Sequence, residues 1–213
     1  MAQIIPAILV DSLDAFQERL AALPGAKLFS IDIMNGTFVE PTTFADAHAV
    51  AAQGTQAQFE LDLMVSDPLP IIEAWNVLPN TVRAIVQAEL DVDVRDLLRT
   101  IRGMNLEAGL ALLPSTRVSN IEHLLNETDM ILVRGNDPGY SGRAYLPEMT
   151  DKILELRAFD PHLFINVDIG VNEITIPELV SAGATHLSVN SAIFSDPNPT
   201  EAFKRLQTLA KMS

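Results

Sequence analysis

The chain has 213 residues, of which 48% are apolar and 20% charged, proportions that belong to a folded globular protein and exclude a disordered one. A net charge of −14 argues against nucleic acid or an anionic membrane surface as partner, because both require a cationic footprint. The absence of cysteine excludes disulfides, a thiolate nucleophile and a Cys-based zinc site. No apolar run approaches the roughly 18 residues of a membrane span. The start, Met1 to Pro6, carries no basic segment and leads straight into a core-type strand, so no signal peptide is expected and a cytoplasmic location is the default reading.

Taken in order, apolar runs of strand length recur and are separated by segments with helical spacing. Strands are expected near Gln3–Leu9, Lys27–Ile33, Ala57–Leu63, Arg83–Gln87, Glu107–Leu112, Met130–Val133, Leu163–Val167 and His186–Val189. Several are continuous apolar runs, the pattern of strands covered on both faces. Between them, Ser12 precedes Leu13, Phe16 and Leu20, an apolar stripe behind an N-cap. Ser119 or Asn120 opens a helical segment through Leu125, and Met149, Ile153 and Leu156 line one side of another. A helix from Thr175 or Pro177 stops at Gly183, and Phe203, Leu206 and Leu209 form the last stripe. Eight strand–helix alternations without a linker predict one α/β domain over residues 1–213, a (β/α)8 TIM barrel. A doubly wound sheet is the alternative, but no Gly-rich fingerprint follows the first strand.

In such a barrel the chemistry lies at the strand C-termini. Alternation places Ser30, Asp32 and Met34 on one face of the second strand and Phe29, Ile31 and Ile33 on the other. The inward residues at the other strand ends are Ala7, Asp62 with Met64, Gln87 with Glu89, Leu112 or Pro114, Arg134, Asp168, and Asn190 with Ser191. So many like charges on one rim call for a functional reason. Three loops after the late strands, Asn136–Arg143 with Gly139 and Gly142, Asp168–Asn172 with Gly170, and Asn190–Phe194, have the make-up of a phosphate site built from backbone N–H groups. His48, His123, His162 and His186 all fall away from the rim, so no histidine is expected in acid–base or metal chemistry.

The residues resemble those of the ribulose-phosphate 3-epimerase family almost end to end. The motifs are Ile5-Pro-Ala-Ile-Leu9, Asp32-Ile-Met-Asn-Gly-Thr-Phe-Val39, Leu61-Asp-Leu-Met-Val65, Gln87-Ala-Glu89, Gly109 to Pro114, Asp137-Pro-Gly-Tyr-Ser-Gly142, Val167 to Asn172 and Asn190 to Phe194. The resemblance implies inversion at C3 of D-ribulose 5-phosphate through an enediolate. Asp32 and Asp168 would be the acid–base pair, and Met34, Asp62, Met64, Arg134, Gly139, Gly142, Gly170, Asn190 and Ser191 would hold the substrate. It implies oligomers by analogy only.

The departures from the family pattern are specific. The family's divalent metal is implied to sit on two histidines and the two aspartates, and here Ser30 and Asp62 stand at the histidine positions. No cofactor is therefore assigned; a three-carboxylate site of Asp32, Asp62 and Asp168 for Mg²⁺ or Mn²⁺ is the remaining option. Ala7 replaces a serine, Arg134 a capping methionine, and Ile169 and Asn190 two glycines. Arg134 is expected to pair with Asp62 or with substrate oxygens and to serve as the electrophile in place of a metal. Two other readings stand beside the epimerase: a different sugar-phosphate enzyme on the same barrel, and a non-catalytic sugar-phosphate binder. A decarboxylase of the keto-gulonate-phosphate type would need a lysine where this chain has Met64.

Overall fold

A computed structural model of the chain describes residues 1–212. Eight parallel strands, β1 (Gln3–Ile8), β2 (Leu28–Met34), β3 (Gln58–Met64), β4 (Thr81–Gln87), β5 (Glu107–Leu112), β6 (Met130–Arg134), β7 (Phe164–Asp168) and β8 (His186–Val189), follow one another in order. They form a closed barrel in which β8 returns to pair with β1. The expected (β/α)8 architecture is therefore the observed one. Helices α1 (Leu13–Ala22), α2 (Ala47–Ala51), α3 (Leu69–Trp75), α4 (Val94–Gly103), α5 (Met149–Phe159), α6 (Ile176–Ala182), α7 (Ser191–Phe194) and α8 (Pro199–Met212) complete the set.

Strand alternation sorts the core into two parts. Phe29, Ile31, Ile33, Phe59, Leu61 and Leu63 point outward and pack with the helices in one large apolar cluster. There Phe16 meets Phe59 with ring centroids 6.0 Å apart, and Phe59 meets Trp75 edge-on at 5.9 Å. Side chains of this size each contribute roughly 1.5–3 kcal/mol on burial. Inside the barrel, Ile85, Ala111, Met130 and Leu132 form a second, smaller cluster. Gly109 completes that layer, since a Cβ there would come within 2.7 Å of Ile85 Cγ1.

This layering corrects one inward assignment. Leu112 belongs to the outer cluster, and Gly109 and Ala111 are the residues that β5 turns inward. The apolar character of Leu112 gave no directional information, because both faces of the strand are buried.

Two helix boundaries follow from local chemistry. The Ser12 hydroxyl accepts from the Ala15 amide at 3.4 Å and opens α1, while Gly183, at φ 113°, closes α6 in the left-handed conformation that glycine tolerates. The expected helix after Ser119 is instead a pair of 3₁₀ turns, Val118–Asn120 and Glu122–Glu127. Buried Val118, Ile121 and Leu124 recur every third residue, and a helix of three residues per turn puts all three on one side where an α-helix would fan them apart.

The barrel floor is polar as well. Arg83 lies between Glu60, which is fully buried, and Glu107. Nearer the other end of the interior, the Asn166 side-chain amide donates to the Ser188 hydroxyl at 2.9 Å.

Candidate active site

The C-terminal ends of β2, β3, β6 and β7 deliver Asp32, Asp62, Arg134 and Asp168 to the opposite end of the barrel. Arg134 and Asp168 are register partners across the β6–β7 ladder, as are Asp32 and Asp62 across β2–β3. β3 and β6, by contrast, are separated by β4 and β5. Arg134 spans that gap. Its Nη1 and Nη2 donate to the two Asp62 carboxylate oxygens, each at 2.6 Å, and Nη1 donates also to Asp168 Oδ2 at 2.9 Å. The guanidinium has no solvent exposure. The Gln87 amide donates to the Leu63 carbonyl at 3.1 Å and reaches Asp62 Oδ1 at 3.5 Å. Arg134 Nε is left without an acceptor.

These surroundings split the two aspartates. Burial pushes the Asp32 carboxyl well above its ordinary value, and the charges of Asp168 and Asp62 add to the effect. Asp32 makes no ion pair among the described residues. Burial also raises Asp168, but Arg134 opposes it and the group settles at about 6. Arg134 itself stays charged: burial works against the cation, and Asp62 and Asp168 outweigh it.

The loops above the strands are fastened to them. The Thr43 hydroxyl donates to the Asp32 carbonyl at 2.7 Å and accepts from the Met34 amide at 2.9 Å, which ties the segment after β2 to the strand end. Asn190 links two other elements: its side-chain amide donates to the Ala7 carbonyl at 2.8 Å, and its oxygen accepts from the Ser141 hydroxyl at 3.2 Å. After β7, Ile169 at φ 73° and Gly170 at φ 78° are both left-handed. That conformation is strained for a β-branched residue, by about 1–3 kcal/mol. Glycine is obligatory beside it. A Cβ on Gly170 would sit 2.3 Å from the Tyr145 amide, and one on Gly135 would sit 2.1 Å from the Ile169 carbonyl.

A cavity continuous with solvent opens at this end. Asp32 and Asp168 both stand in its wall, with Met64, Gly139, Gly142, Gly170, Asn190 and Ser191. Met34, Asp62 and Arg134 do not line it. Arg134 thus takes the first of the two partners expected for it, Asp62, and stands off from the space a substrate would fill. Sequence reasoning passed over Leu9, Val171 and Ser188, which also line the cavity. Ser188 carried a usable signal, since it precedes Asn190 by one inward step on β8. Tyr140 and Ser141, read only as turn residues, join the wall too. The four histidines lie in α2, a 3₁₀ turn, the loop before β7 and the first position of β8, and none lines the cavity.

The metal implied by the resemblance does not fit this donor set. Both Asp62 oxygens are bound by Arg134, and Asp168 shares the same guanidinium. A divalent cation among these carboxylates would face a buried positive charge a few ångströms away, an interaction of several kcal/mol even when partly screened. Among the described residues no group of three or more His, Cys, Asp or Glu is arranged to hold a metal ion.

Comparison with known proteins places this site in context. The model of the ribulose-phosphate 3 epimerase family matches residues 3–194. The ribulose-phosphate 3-epimerase of Treponema pallidum (strain Nichols) is 30% identical over 197 residues, covering 89% of this chain and 90% of the relative. The cytoplasmic isoform of Oryza sativa subsp. japonica is 30% identical over 218 residues, covering 97% and 93%. Among solved structures, KGPDC from Streptococcus mutans superposes with a TM-score of 0.76 at 11% identity, over 100% of this chain and 98% of that one. A 3-hexulose-6-phosphate synthase does so with a TM-score of 0.71 at 16% identity, over 97% and 99%. These structural likenesses establish the barrel, while the sequence match over nearly the whole length establishes more: the chain belongs to the ribulose-phosphate 3-epimerase family.

Proposed function

We propose that the chain interconverts D-ribulose 5-phosphate and D-xylulose 5-phosphate by proton transfer between Asp32, Asp168 and the two faces of C3. The observation that carries this reading is the pair of aspartates in one cavity wall with unlike surroundings. Asp168 is bonded to Arg134 and favours the ionised state; Asp32, buried with no ion pair of its own, has its affinity raised well above the ordinary value. In one direction Asp168 takes the C3 proton, and the C–H electron pair moves into the C2 carbonyl to form the enediolate. Asp32 then gives its proton to C3 from the other face. The reverse reaction exchanges the two roles, as acid and base held at separated affinities permit.

The loops containing Gly139, Gly142 and Gly170, together with Ser191, stand in the same wall and offer backbone N–H groups for the phosphate. Such local donors are needed in a protein of net charge −14. Incubation with D-ribulose 5-phosphate in D₂O with chelator present, followed by NMR, tests the assignment. Deuterium should enter C3, and this exchange should vanish in Asp32→Asn and in Asp168→Asn. A lack of exchange under every metal condition would refute it.

A further inference from the structure

Three carboxylates, those of Asp32, Asp62 and Asp168, converge at one end of a barrel whose interior is otherwise shielded from water. Each is buried or nearly so: Asp62 is 1% and Asp32 8% exposed, and the Asp168 side chain is 14% exposed. Such a cluster cannot stand without a counter-charge. The structure supplies one from within the chain. Arg134 enters from β6, places two nitrogens on the two Asp62 oxygens at 2.6 Å and shares one of them with Asp168 at 2.9 Å. This two-pronged geometry is the strongest that a guanidinium offers a carboxylate. The guanidinium is sealed from solvent and absent from the cavity wall, so it meets the reacting centre through the Asp168 carboxylate.

We propose that Arg134, locked by Asp62, is a permanent protein-borne cation that closes this site to divalent metals and fixes the Asp168 carboxylate for proton transfer. Arg134 is then a positioning residue. Asp62 is its anchor, and Gln87, bonded to the Leu63 carbonyl beside it, buttresses that anchor. Ser30, buried on the same strand face as Asp32, adds no charge to the cluster. The assignment rests on the epimerase reading only for its statement about proton transfer. The statement about metal exclusion concerns the cluster alone.

The two statements are tested separately. Purified protein is titrated with Mn²⁺ alone, and the free-ion EPR signal is followed. Wild type should leave the signal unchanged, and so should Arg134→Lys, which keeps the charge. Arg134→Met, which frees three carboxylates for hard-ion coordination, should take up one equivalent. Arg134→Gln serves in the same way if the methionine variant fails to fold, as judged by circular dichroism. Stoichiometric Mn²⁺ binding by wild type, or no gain in a folded neutral variant, would overturn the exclusion.

For positioning, Arg134→Gln should lower kcat by about 100-fold with KM changed less than about threefold, the signature of a group that acts in the transition state rather than in binding. Equal loss in both parameters, or none, would overturn it. If the C3 exchange experiment fails while the Mn²⁺ pattern holds, the epimerase reading falls and the built-in cation stands.

Discussion

Asp32 and Asp168 are chemically identical side chains in one cavity, and their different neighbours shift their proton affinities by different causes. As the proposed base, Asp168 must be ionised to accept a proton, and its affinity at about 6 sets where that fails. Below this pH the base is protonated, so kcat/KM should fall about tenfold per pH unit as acidity rises past about 6, well above the pH 4 region where an ordinary carboxylate would place the limb. A pH–rate profile of the free enzyme measures it. Ile169 offers a stability counterpart. Ile169→Gly should relieve strain of about 1–3 kcal/mol at the expense of about 1 kcal/mol of glycine chain entropy, a net gain of about 1 kcal/mol readable by urea denaturation. At this scale the sequence was legible where alternation decides. Asp32, Met64, Asp168 and Asn190 are inward positions at strand ends, and all four reach the cavity wall. The partner of Arg134 was open between Asp62 and a substrate oxygen. That choice depends on whether a side chain on β6 can cross to β3, a distance set by barrel closure and not by local pattern.

Elements were legible wherever periodicity and caps agreed. All eight strands lie near their expected places because parallel barrel strands are buried on both faces and read as unbroken apolar runs. The same double burial hid which side of β5 faces inward, since Gly109 and Ala111 have no large side chain to declare a direction. The 3₁₀ turns at Val118–Asn120 and Glu122–Glu127 share their sequence pattern with an α-helix, because an apolar residue at every third position satisfies both templates over one or two turns. The junction of β6 and β7 is tightly constrained. The Gly135 amide donates to the Asp168 carbonyl at 2.7 Å, and a Cβ at Gly135 would meet the Ile169 carbonyl at 2.1 Å. Backbone atoms cannot swing aside as a side chain can. Gly135→Ala should therefore destabilise the fold by about 3 kcal/mol, the upper end for overpacking, and displace Asp168 enough to reduce kcat; thermal denaturation and steady-state kinetics report the two effects.

At the scale of the whole molecule, His186 at one end of the barrel and Asp168 at the other respond to acid in opposite directions. At the floor, burial and the nearby Arg83 hold His186 down to about 4, against an ordinary value of about 6.5 in the unfolded chain. Its contribution to stability is present above pH 6.5 and is lost as pH falls toward 4, because the unfolded state takes up the proton first. Asp168, raised instead, gains stability over much of the same range on acidification. The His186 component is isolated by subtraction: between pH 7 and pH 4.5, wild type should lose stability relative to His186→Gln, measured by urea unfolding at each pH. The guanidinium at the other end carries a kinetic consequence. Arg134 and Asp62 lie 72 residues apart in the chain and on strands separated by two others. Their contact can form only after β3 to β6 have assembled, and until then both groups keep their water. Desolvation of the pair is therefore expected to follow the main folding barrier. Asp62→Asn should leave the folding limb of a stopped-flow chevron nearly unmoved and steepen escape from the native state, with faster unfolding at every denaturant concentration. The cation proposed to order the site is on this expectation also a latch that keeps the finished barrel shut.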